Sequence, residues 1–294
     1  MWYNRMEWVI IGLLLILIGI LVLLKRDSGF TSIEIPKTIW TYWHEDTPPE
    51  IVQKSIENWK KYSPGFEVIL VTPSNIKNYI SDKDFDDFRK DEFIHRRVDL
   101  IRLYLLYKFG GIWSDATIAV RKSHQWILDE QKQRGFEFFG YYRKGSTTKP
   151  DYPVIENWLF ACIPGSEFVR KWRDEFERTA QFSDITKYLD DVKSQGVDYQ
   201  EIPDPGYLTP YVSVQYVMQK QMTPDEIKSK IYVLESDDGP FQHSTQNNWD
   251  PTLAVRSLCE RDPSSLPDVI KIYGNERRAI ESDSELKCSY KIFD

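Results

Sequence analysis

The sequence is poor in cysteine and has no excess of positive charge. Its three cysteines, Cys162, Cys259 and Cys288, are too few and too widely spaced for a disulfide framework or a zinc site. One pair can still oxidise if the domain lies outside the cytoplasm. The net charge of −7 argues against a nucleic-acid partner, because proteins that bind nucleic acid present a basic face. Internal repeats and low-complexity segments are also lacking, so the 294 residues suit one domain of catalytic size.

One long apolar run, WVIIGLLLILIGILVLL, lies near the amino terminus at residues 8–24. Its 17 residues would extend roughly 25 Å as a helix, at the short end of what crosses a bilayer. A cleavable signal peptide is the alternative, but the run exceeds a usual signal core, and a basic pair follows it in place of a cleavage site. The sequence therefore predicts a tail and transmembrane anchor over residues 1–27, a linker over residues 28–35 and a catalytic domain over residues 36–294.

Basic residues flank both ends of this apolar run, with Arg5 before it and Lys25 and Arg26 after it. The positive-inside rule therefore favours neither orientation. The chain has no Asn-x-Ser/Thr sequon, an absence that leans only slightly towards a cytosolic domain. We expect a single-pass membrane protein. Its domain lies either on the lumenal side of an ER- or Golgi-type membrane or on the cytoplasmic face of a membrane, and the side is undetermined.

After the linker, buried strands alternate with an amphipathic helix. Residues 38–43, TIWTYW, and residues 67–71, EVILV, have the β-branched and aromatic content of buried strands. Between them, Val52 and Ile56 recur at helical spacing. Strand, helix and strand in this order predict a parallel sheet and an α/β fold. A further strand is predicted late in the chain, over residues 269–273.

The central stretch, residues 95–117, reads HRRVDLIRLYLLYKFGGIWSDAT. It predicts an apolar helix that stops at a glycine pair, followed by a short strand that ends at Asp115. On the helix, His95, Asp99 and Arg102 recur at i, i+4 and i+7 and form one polar stripe. An Asp99–Arg102 ion pair and a turn aspartate would explain each residue singly, but an ionised stripe is costly in an apolar helix unless a ligand uses it. Because ligands bind at the carboxyl ends of parallel strands, the set predicts a ligand site beside Asp115.

Three segments of the chain, IPKTIWTYW, DLIRLYLLYKFGG and WSDAT, resemble the capsular polysaccharide synthesis proteins. Those proteins are similar to the wider glycosyltransferase family 32 and its DXD sugar-binding relatives, which include yeast α-mannosyltransferases and the large clostridial glucosylating toxins. The resemblance covers roughly residues 35–165. It implies a GT-A-like (Rossmann-like) nucleotide-sugar-binding domain, a nucleoside diphosphate sugar as donor, and retaining transfer that yields an α-linkage.

The resemblance also implies roles for single residues. Trp40 matches the aromatic region of the first strand that packs near the nucleotide base. Asp99 matches an aspartate that hydrogen-bonds the donor sugar hydroxyls, and Arg102 an arginine that contacts donor sugar and phosphate. Asp115 matches the first aspartate of the DXD motif, which serves the ribose and the metal. The spacing from Asp99 to Asp115 agrees with the family without gaps.

The chain departs from the family at Thr117, which stands where the motif has its second aspartate. The resemblance implies a Mn²⁺ or Mg²⁺ cofactor held by Asp115 and Thr117, but a threonine hydroxyl binds a hard cation more weakly than a carboxylate does. In the family, further metal or diphosphate ligands come from a late loop, for which His243, Asn247 and Asn248 are the candidates. The resemblance therefore implies a metal site with weaker ligands than a complete motif provides, and strict dependence on a metal does not follow from it.

Two polar residues, Glu156 and Asn157, interrupt a buried run that follows a loop-rich segment, and they are candidates for the acceptor side. A diphosphate leaving group needs its developing negative charge neutralised, for which Arg102 and a metal near Asp115 are suited. We therefore expect a membrane-anchored, retaining, hexosyltransferase-like glycosyltransferase. It would move a sugar from a UDP- or GDP-sugar to a glycan or polysaccharide acceptor.

Two alternatives stay open from the sequence. The first is a non-catalytic relative that binds a nucleotide or sugar and has lost metal-dependent activity together with the second aspartate. The second is a sugar-phosphate transferase or hydrolase on the same sheet architecture, although no residue of the sequence specifically indicates that activity.

Overall fold

Strands and helices are interspersed along the chain in the computed structural model, which describes residues 34–81 and 94–294. Within those residues there are eight strands and ten α-helices. The strands are β1 (Thr38–Tyr42), β2 (Glu67–Val71), β3 (Gly111–Ser114), β4 (Ile118–Val120), β5 (Phe138–Tyr142), β6 (Leu159–Cys162), β7 (Ile231–Glu235) and β8 (Val269–Lys271). The helices are α1 (Glu50–Tyr62), α2 (Ile94–Phe109), α3 (Gln125–Arg134), α4 (Glu167–Arg178), α5 (Ile185–Ser194), α6 (Thr209–Gln221), α7 (Pro224–Lys230), α8 (Gln242–Thr245), α9 (Pro251–Glu260) and α10 (Gly274–Ser282). Short 3₁₀ segments lie at Ile76–Asn78, Lys144–Ser146, Thr179–Gln181 and Pro263–Ser265, and a longer one at Ser284–Phe293.

The main sheet has six strands in the order β2-β1-β3-β6-β5-β7. β1 pairs in parallel with β2, from Thr38 opposite Glu67 to Tyr42 opposite Val71, as the strand–helix–strand pattern predicts. β3 also runs parallel to β1, but β6 runs antiparallel to both β3 and β5. The expectation of a parallel sheet is therefore wrong for this part of the molecule, and the sheet is mixed. Burial makes a strand apolar in either direction, so the apolar pattern of β6 does not encode its orientation.

Helices cover both faces of the main sheet. Ile39 and Ile112 point to the face that also buries Trp59 of α1. The neighbouring residues Trp40 and Trp113 point to the opposite face, against α2 and α4. This alternation follows from the two-residue period of a strand and gives three layers, helix, sheet and helix. Because α2 packs directly on the sheet, Asp99 and Arg102 of that helix are held close to the end of β3.

A second sheet of two antiparallel strands, β4 and β8, joins the late part of the chain to the turn after β3. Ile118 lies opposite Lys271 in this pairing. Asn58 of α1 secures the same region, because its side chain donates to the carbonyl oxygens of Val120 and Phe293, at 2.9 and 3.0 Å, and accepts from the Val120 amide at 2.7 Å. The pairing matters for the site because it brings a late strand to the end of β3.

The carboxyl-terminal 3₁₀ segment is joined to α9 by a disulfide between Cys259 and Cys288. The third cysteine, Cys162, is buried and unpaired in β6. The pairing identifies which two of the three thiols can oxidise, a question that the sequence leaves open.

Residues 34–294 belong to one compact unit. Among the helices described in that unit, none is long and apolar enough to cross a membrane. The apolar run at residues 8–24 lies outside the described residues, so the transmembrane anchor and the domain boundaries at residues 27 and 35 stay predictions.

Candidate active site

A pocket of about 550 Å³ opens at the carboxyl ends of β1 and β3. It is lined by Tyr42, the last residue of β1, and by the residues that follow β3. Further walls come from α2, from the start of α6 and from the first turn of α10. Six of the ten site residues predicted from the sequence line this pocket: Asp99, Arg102, Asp115, Thr117, Glu156 and Asn157.

The glycine pair between α2 and β3 holds this geometry. Gly110 and Gly111 have φ angles of +64° and +99°, which residues with a side chain rarely adopt. A Cβ on Gly111 would lie 2.6 Å from the carbonyl oxygen of Thr38 on β1. The sequence therefore turns sharply from the helix into β3, and Asp115 follows that strand, with its amide donating to the Trp158 carbonyl at 2.8 Å.

Arg102 is the centre of the polar cluster. Its guanidinium lies 3.1 Å from Asp99 Oδ1 and 3.4 Å from Asp115 Oδ1. It also donates to the carbonyl oxygen of Asn157 and lies over the Trp113 ring, 5.1 Å from the ring centroid. The Asn157 side chain donates to Asp99 Oδ1 at 2.9 Å. The pair predicted on α2 and the aspartate predicted after β3 are thus brought together around one buried arginine.

The two aspartates of the cluster differ in their electrostatics. Burial raises the pKa of Asp99 to about 7, and the attraction of Arg102 only partly opposes that rise. Burial would also raise the pKa of Asp115, but Lys271 and Arg102 together hold it below its usual range. Asp115 is therefore fully ionised at neutral pH, whereas Asp99 is near its titration point.

Lys271, which the sequence did not single out, is the second cation at Asp115. Its ammonium lies 2.8 Å from Asp115 Oδ2. It is 7% exposed and belongs to the pocket lining. A lysine inside the otherwise apolar run VIKIY at residues 269–273 is the signal that could have found it, because charged residues are rarely buried without a partner.

Positive charge is concentrated in the pocket. Five cationic side chains and three carboxylates line it. The cationic residues are Arg102, Arg143, Lys271, Arg277 and Arg278, and the carboxylates are Asp99, Asp115 and Glu156. This excess is local, because the whole chain carries a net charge of −7. The pocket therefore suits an anionic ligand better than the rest of the surface does.

Aromatic rings alternate with these cations along the pocket wall. The Arg143 guanidinium lies 4.5 Å from the centroid of the Trp249 ring, and that of Arg277 lies 5.3 Å from the Trp43 ring. Tyr273 donates its hydroxyl to the Trp249 carbonyl at 2.9 Å. Such rings offer flat apolar surfaces on which a base or a sugar can stack.

Glu156 is a buried residue of the pocket lining. It accepts hydrogen bonds from the hydroxyl of Tyr211 and from Ser236 Oγ, the latter at 3.2 Å, and Arg143 lies 3.6 Å away. Burial raises its pKa to about 6, although these donors and Arg143 favour the ionised form. Asn157, its neighbour, belongs instead to the Asp99–Arg102 cluster. The structure thus places the two predicted acceptor-side residues in different networks, and their role on the acceptor side stays a prediction.

Trp40 is not brought to the pocket. It is buried, with its indole Nε1 donating to the Gly110 carbonyl at 3.0 Å and its ring stacked on Phe109. Trp40 lies two residues before the carboxyl end of β1, so its ring packs beneath the α2–β3 turn, and Tyr42 and Trp43 line the pocket instead.

The late-loop candidates are also placed elsewhere. His243 is buried with its Nε2 3.1 Å from Glu276 and 3.3 Å from Ser244 Oγ. Asn247 donates to the His243 carbonyl at 2.7 Å. Neither these two nor Asn248 is a lining residue of the pocket. The carboxylate partner of His243 is Glu276 and not Asp115, and the metal-ligand role of His243 stays a prediction.

The residues at Asp115 do not fit a divalent cation well. Thr117 Oγ1 donates to the Ile272 carbonyl at 2.6 Å, and as a neutral hydroxyl it is a weaker ligand than a carboxylate. Both Asp115 oxygens accept from nitrogen donors, Oδ1 from Trp113 Nε1 at 2.9 Å and Oδ2 from Lys271. In the described part of the chain, no group of three or more His, Cys, Asp or Glu is placed to hold a metal ion. Hard cations prefer several oxygen ligands, and one carboxylate already paired with a lysine falls short of that.

Comparison with known proteins gives one family match. The family model described as "Capsular polysaccharide synthesis protein" matches residues 21–188. The O-glycosyltransferase braB of Annulohypoxylon truncatum is 26% identical over 159 residues, which are 48% of this chain and 37% of that protein. The glycosyltransferase afumC of Aspergillus fumigatus is 24% identical over 157 residues, 48% of this chain and 39% of that protein. The chain thus matches less than two fifths of the length of these curated relatives. The solved structure of the PaToxG glycosyltransferase aligns with this chain at a TM-score of 0.43 and 13% identity. The alignment covers 88% of this chain and 86% of the PaToxG chain.

Proposed function

The chain belongs to the capsular polysaccharide synthesis protein family, and on that premise we propose that it is a glycosyltransferase. Its donor would be a nucleoside diphosphate sugar and its acceptor a glycan. The observation that supports this most directly is the convergence of Asp99, Arg102 and Asp115 at the carboxyl end of β3, inside a cation-rich pocket with aromatic walls. The curated relatives are named as glycosyltransferases, which agrees with this assignment.

The pocket chemistry matches the parts of such a donor. A nucleoside diphosphate carries its negative charge on the two phosphates, and Arg102 and Lys271 are the buried cations nearest Asp115. The first turn of α10 adds Gly274, Arg277 and Arg278 to the same wall, and a helix amino terminus favours phosphate.

The sugar would lie against Asp99 and Asn157. Their side chains are joined by a hydrogen bond of 2.9 Å and line the pocket. Carboxylate and amide groups accept from and donate to sugar hydroxyls. The rings of Trp43, Trp249 and Tyr273 offer stacking surfaces for the base or for a sugar ring.

We infer a retaining transfer. The bond between the anomeric carbon and the β-phosphate oxygen breaks, and the nucleoside diphosphate leaves. The acceptor hydroxyl oxygen forms its new bond to the anomeric carbon on the face that the diphosphate leaves, and the departing phosphate oxygen takes the hydroxyl proton. Arg102 and Lys271 stabilise the charge that develops on the diphosphate.

A panel of UDP- and GDP-sugars tests this function with the full-length chain in mild detergent, with and without Mn²⁺. We expect one donor to be hydrolysed or used for transfer, and Asp115→Ala to abolish that turnover. Asp129→Ala is the matched control, because Asp129 is exposed on α3 and hydrogen-bonds only locally to Gln125. If no donor is bound or turned over under either condition, the proposal fails.

A non-catalytic nucleotide-binding protein is the second candidate, favoured by one observation. The carboxylate of Asp115 is already neutralised by Lys271 and Arg102, and Thr117 supplies no second carboxylate. Calorimetry with UDP and GDP, run beside the donor panel, separates the two. Nucleotide binding with no turnover of any donor would favour this second candidate.

A further inference from the structure

Both oxygens of the Asp115 carboxylate face cationic or indole nitrogen donors. Lys271 Nζ approaches Oδ2 at 2.8 Å, and Trp113 Nε1 and Arg102 approach Oδ1 at 2.9 and 3.4 Å. In a site built for a divalent cation, at least one of these oxygens would face the ion and further oxygen ligands would surround it. At Asp115 the group that faces Oδ2 is the ammonium of Lys271.

The pairing of β4 with β8 is what brings the ammonium there. Thr117 and Ile272 exchange two hydrogen bonds: Thr117 Oγ1 donates to the Ile272 carbonyl at 2.6 Å, and the Ile272 amide donates to the Thr117 carbonyl at 3.1 Å. These bonds fix the register in which Lys271 lies opposite Ile118. The residue that replaces the second aspartate of the motif therefore positions β8 and, with it, Lys271.

Lys271 keeps bonding capacity for a ligand. An ammonium group can donate three hydrogen bonds, and Asp115 is the hydrogen-bond acceptor found for it in the described part of the chain. The side chain is 9% exposed, and Lys271 belongs to the lining of the pocket. A buried ammonium is costly to desolvate, so a second anionic partner would stabilise it further.

We propose that Lys271 takes the place of a divalent cation in this pocket and binds the donor diphosphate directly. This inference rests on the proposed function. The ammonium bridges Asp115 and a phosphate oxygen, and Arg102 provides a second positive charge on the other side of Asp115. An ammonium imposes no coordination number, so the missing second aspartate carries no penalty. Nucleotide binding by this chain is then independent of Mn²⁺ and Mg²⁺.

The first experiment is calorimetry of UDP and GDP binding to the full-length chain, with EDTA and then with millimolar Mn²⁺. We expect the dissociation constant of the nucleotide that binds to be the same, within about twofold, in the two conditions. Binding that weakens by more than about twofold in EDTA would mean that a metal ion contributes to nucleotide binding, and the inference would be overturned.

The second experiment tests the phosphate contact itself. Lys271→Met removes the charge, and we expect it to weaken binding of the diphosphate about tenfold to a hundredfold while leaving binding of the corresponding nucleoside nearly unchanged. Lys132→Met, on the exposed side of α3, is the matched control and should bind both ligands as the wild type does. If Lys271→Met weakens nucleoside and diphosphate binding equally, Lys271 only supports the fold, and the inference fails.

These outcomes are distinct from a failure of the proposed function. Metal-dependent nucleotide binding in the wild type overturns the role of Lys271 and leaves the glycosyltransferase proposal standing. An absence of nucleotide binding in both EDTA and Mn²⁺ overturns both.

Discussion

We expect Gly111→Ala to destabilise the protein, because the turn between α2 and β3 requires a glycine at this position. At the φ of +99° observed for Gly111, an alanine costs about 1–2 kcal/mol in backbone strain. Its Cβ would also lie 2.6 Å from the Thr38 carbonyl oxygen and 3.2 Å from Trp40 Nε1. Backbone atoms of a paired strand cannot move aside freely, and overpacking of this kind costs about 1–3 kcal/mol more. The total expected loss is about 2–5 kcal/mol of unfolding free energy.

The matched control is Gly65→Ala, in the turn between α1 and β2. Gly65 has a similar φ of +88°, but a Cβ there meets nothing within 4 Å. The control therefore carries the backbone strain without the steric contact, about 1–2 kcal/mol. The difference between the two variants isolates the close approach of β3 to β1.

Equilibrium urea unfolding of the full-length chain, followed by tryptophan fluorescence, measures both losses. We also expect Gly111→Ala to weaken nucleotide binding and Gly65→Ala to leave it unchanged, because Asp115 directly follows β3. Equal destabilisation by the two substitutions would refute the steric part of this reasoning. Unchanged nucleotide binding in Gly111→Ala would refute the link between the turn and the site.

Three further outcomes follow from buried groups. Burial lowers the pKa of His124 from 6.5 to about 4, so the unfolded state binds a proton first and the free energy of unfolding falls as the pH falls from 6.5 to 4. In His124→Gln we expect this acid-induced loss to be smaller by about 3 kcal/mol. Urea unfolding at several pH values measures the loss, and an equal loss in wild type and variant would contradict the prediction. Glu156 has its pKa raised to about 6 from 4.5, so the folded state is penalised as the pH rises through that range. The free energy of unfolding of Glu156→Gln, relative to that of the wild type, should therefore rise by about 2 kcal/mol between pH 4.5 and 7. If urea unfolding shows no such relative rise, burial does not raise the pKa of Glu156 as described. The disulfide between Cys259 and Cys288 closes a loop with a sequence separation of 29. Its reduction should therefore lower the free energy of unfolding by about 3–4 kcal/mol, as measured by urea unfolding with and without a reductant. Disulfides persist in oxidising compartments. If the chain from cells is denatured and alkylated without reduction, we therefore expect only Cys162 to be labelled, and labelling of all three cysteines would contradict this.

The local pattern of the chain was enough to predict the helix, glycine turn and strand around the site. The helix ends at Phe109, the two glycines have positive φ, and β3 runs over Gly111–Ser114, as the central stretch predicts. These features depend on side-chain periodicity and on the conformational freedom of glycine, which act over a few residues. For the same reason Asp99 and Arg102 could be placed on one face of α2 before the structure was known.

The placement of the other site residues depends on contacts between distant parts of the chain. Lys271 lies 156 residues after Asp115 and reaches it because β8 pairs with β4. The direction of β6, which makes the sheet mixed, is likewise fixed by its neighbours and not by its own composition. Trp40 and His243 had plausible residue types for the site, but packing directs one beneath the turn and the other to Glu276.

The sequence by itself thus determined the α/β fold class and the helix, glycine turn and strand that carry Asp99, Arg102 and Asp115, since short-range periodicity and turn chemistry specify these elements. Only the tertiary structure decided which cation faces Asp115. That choice depends on the register of β8 against β4, and no local pattern in residues 269–273 encodes the partner strand.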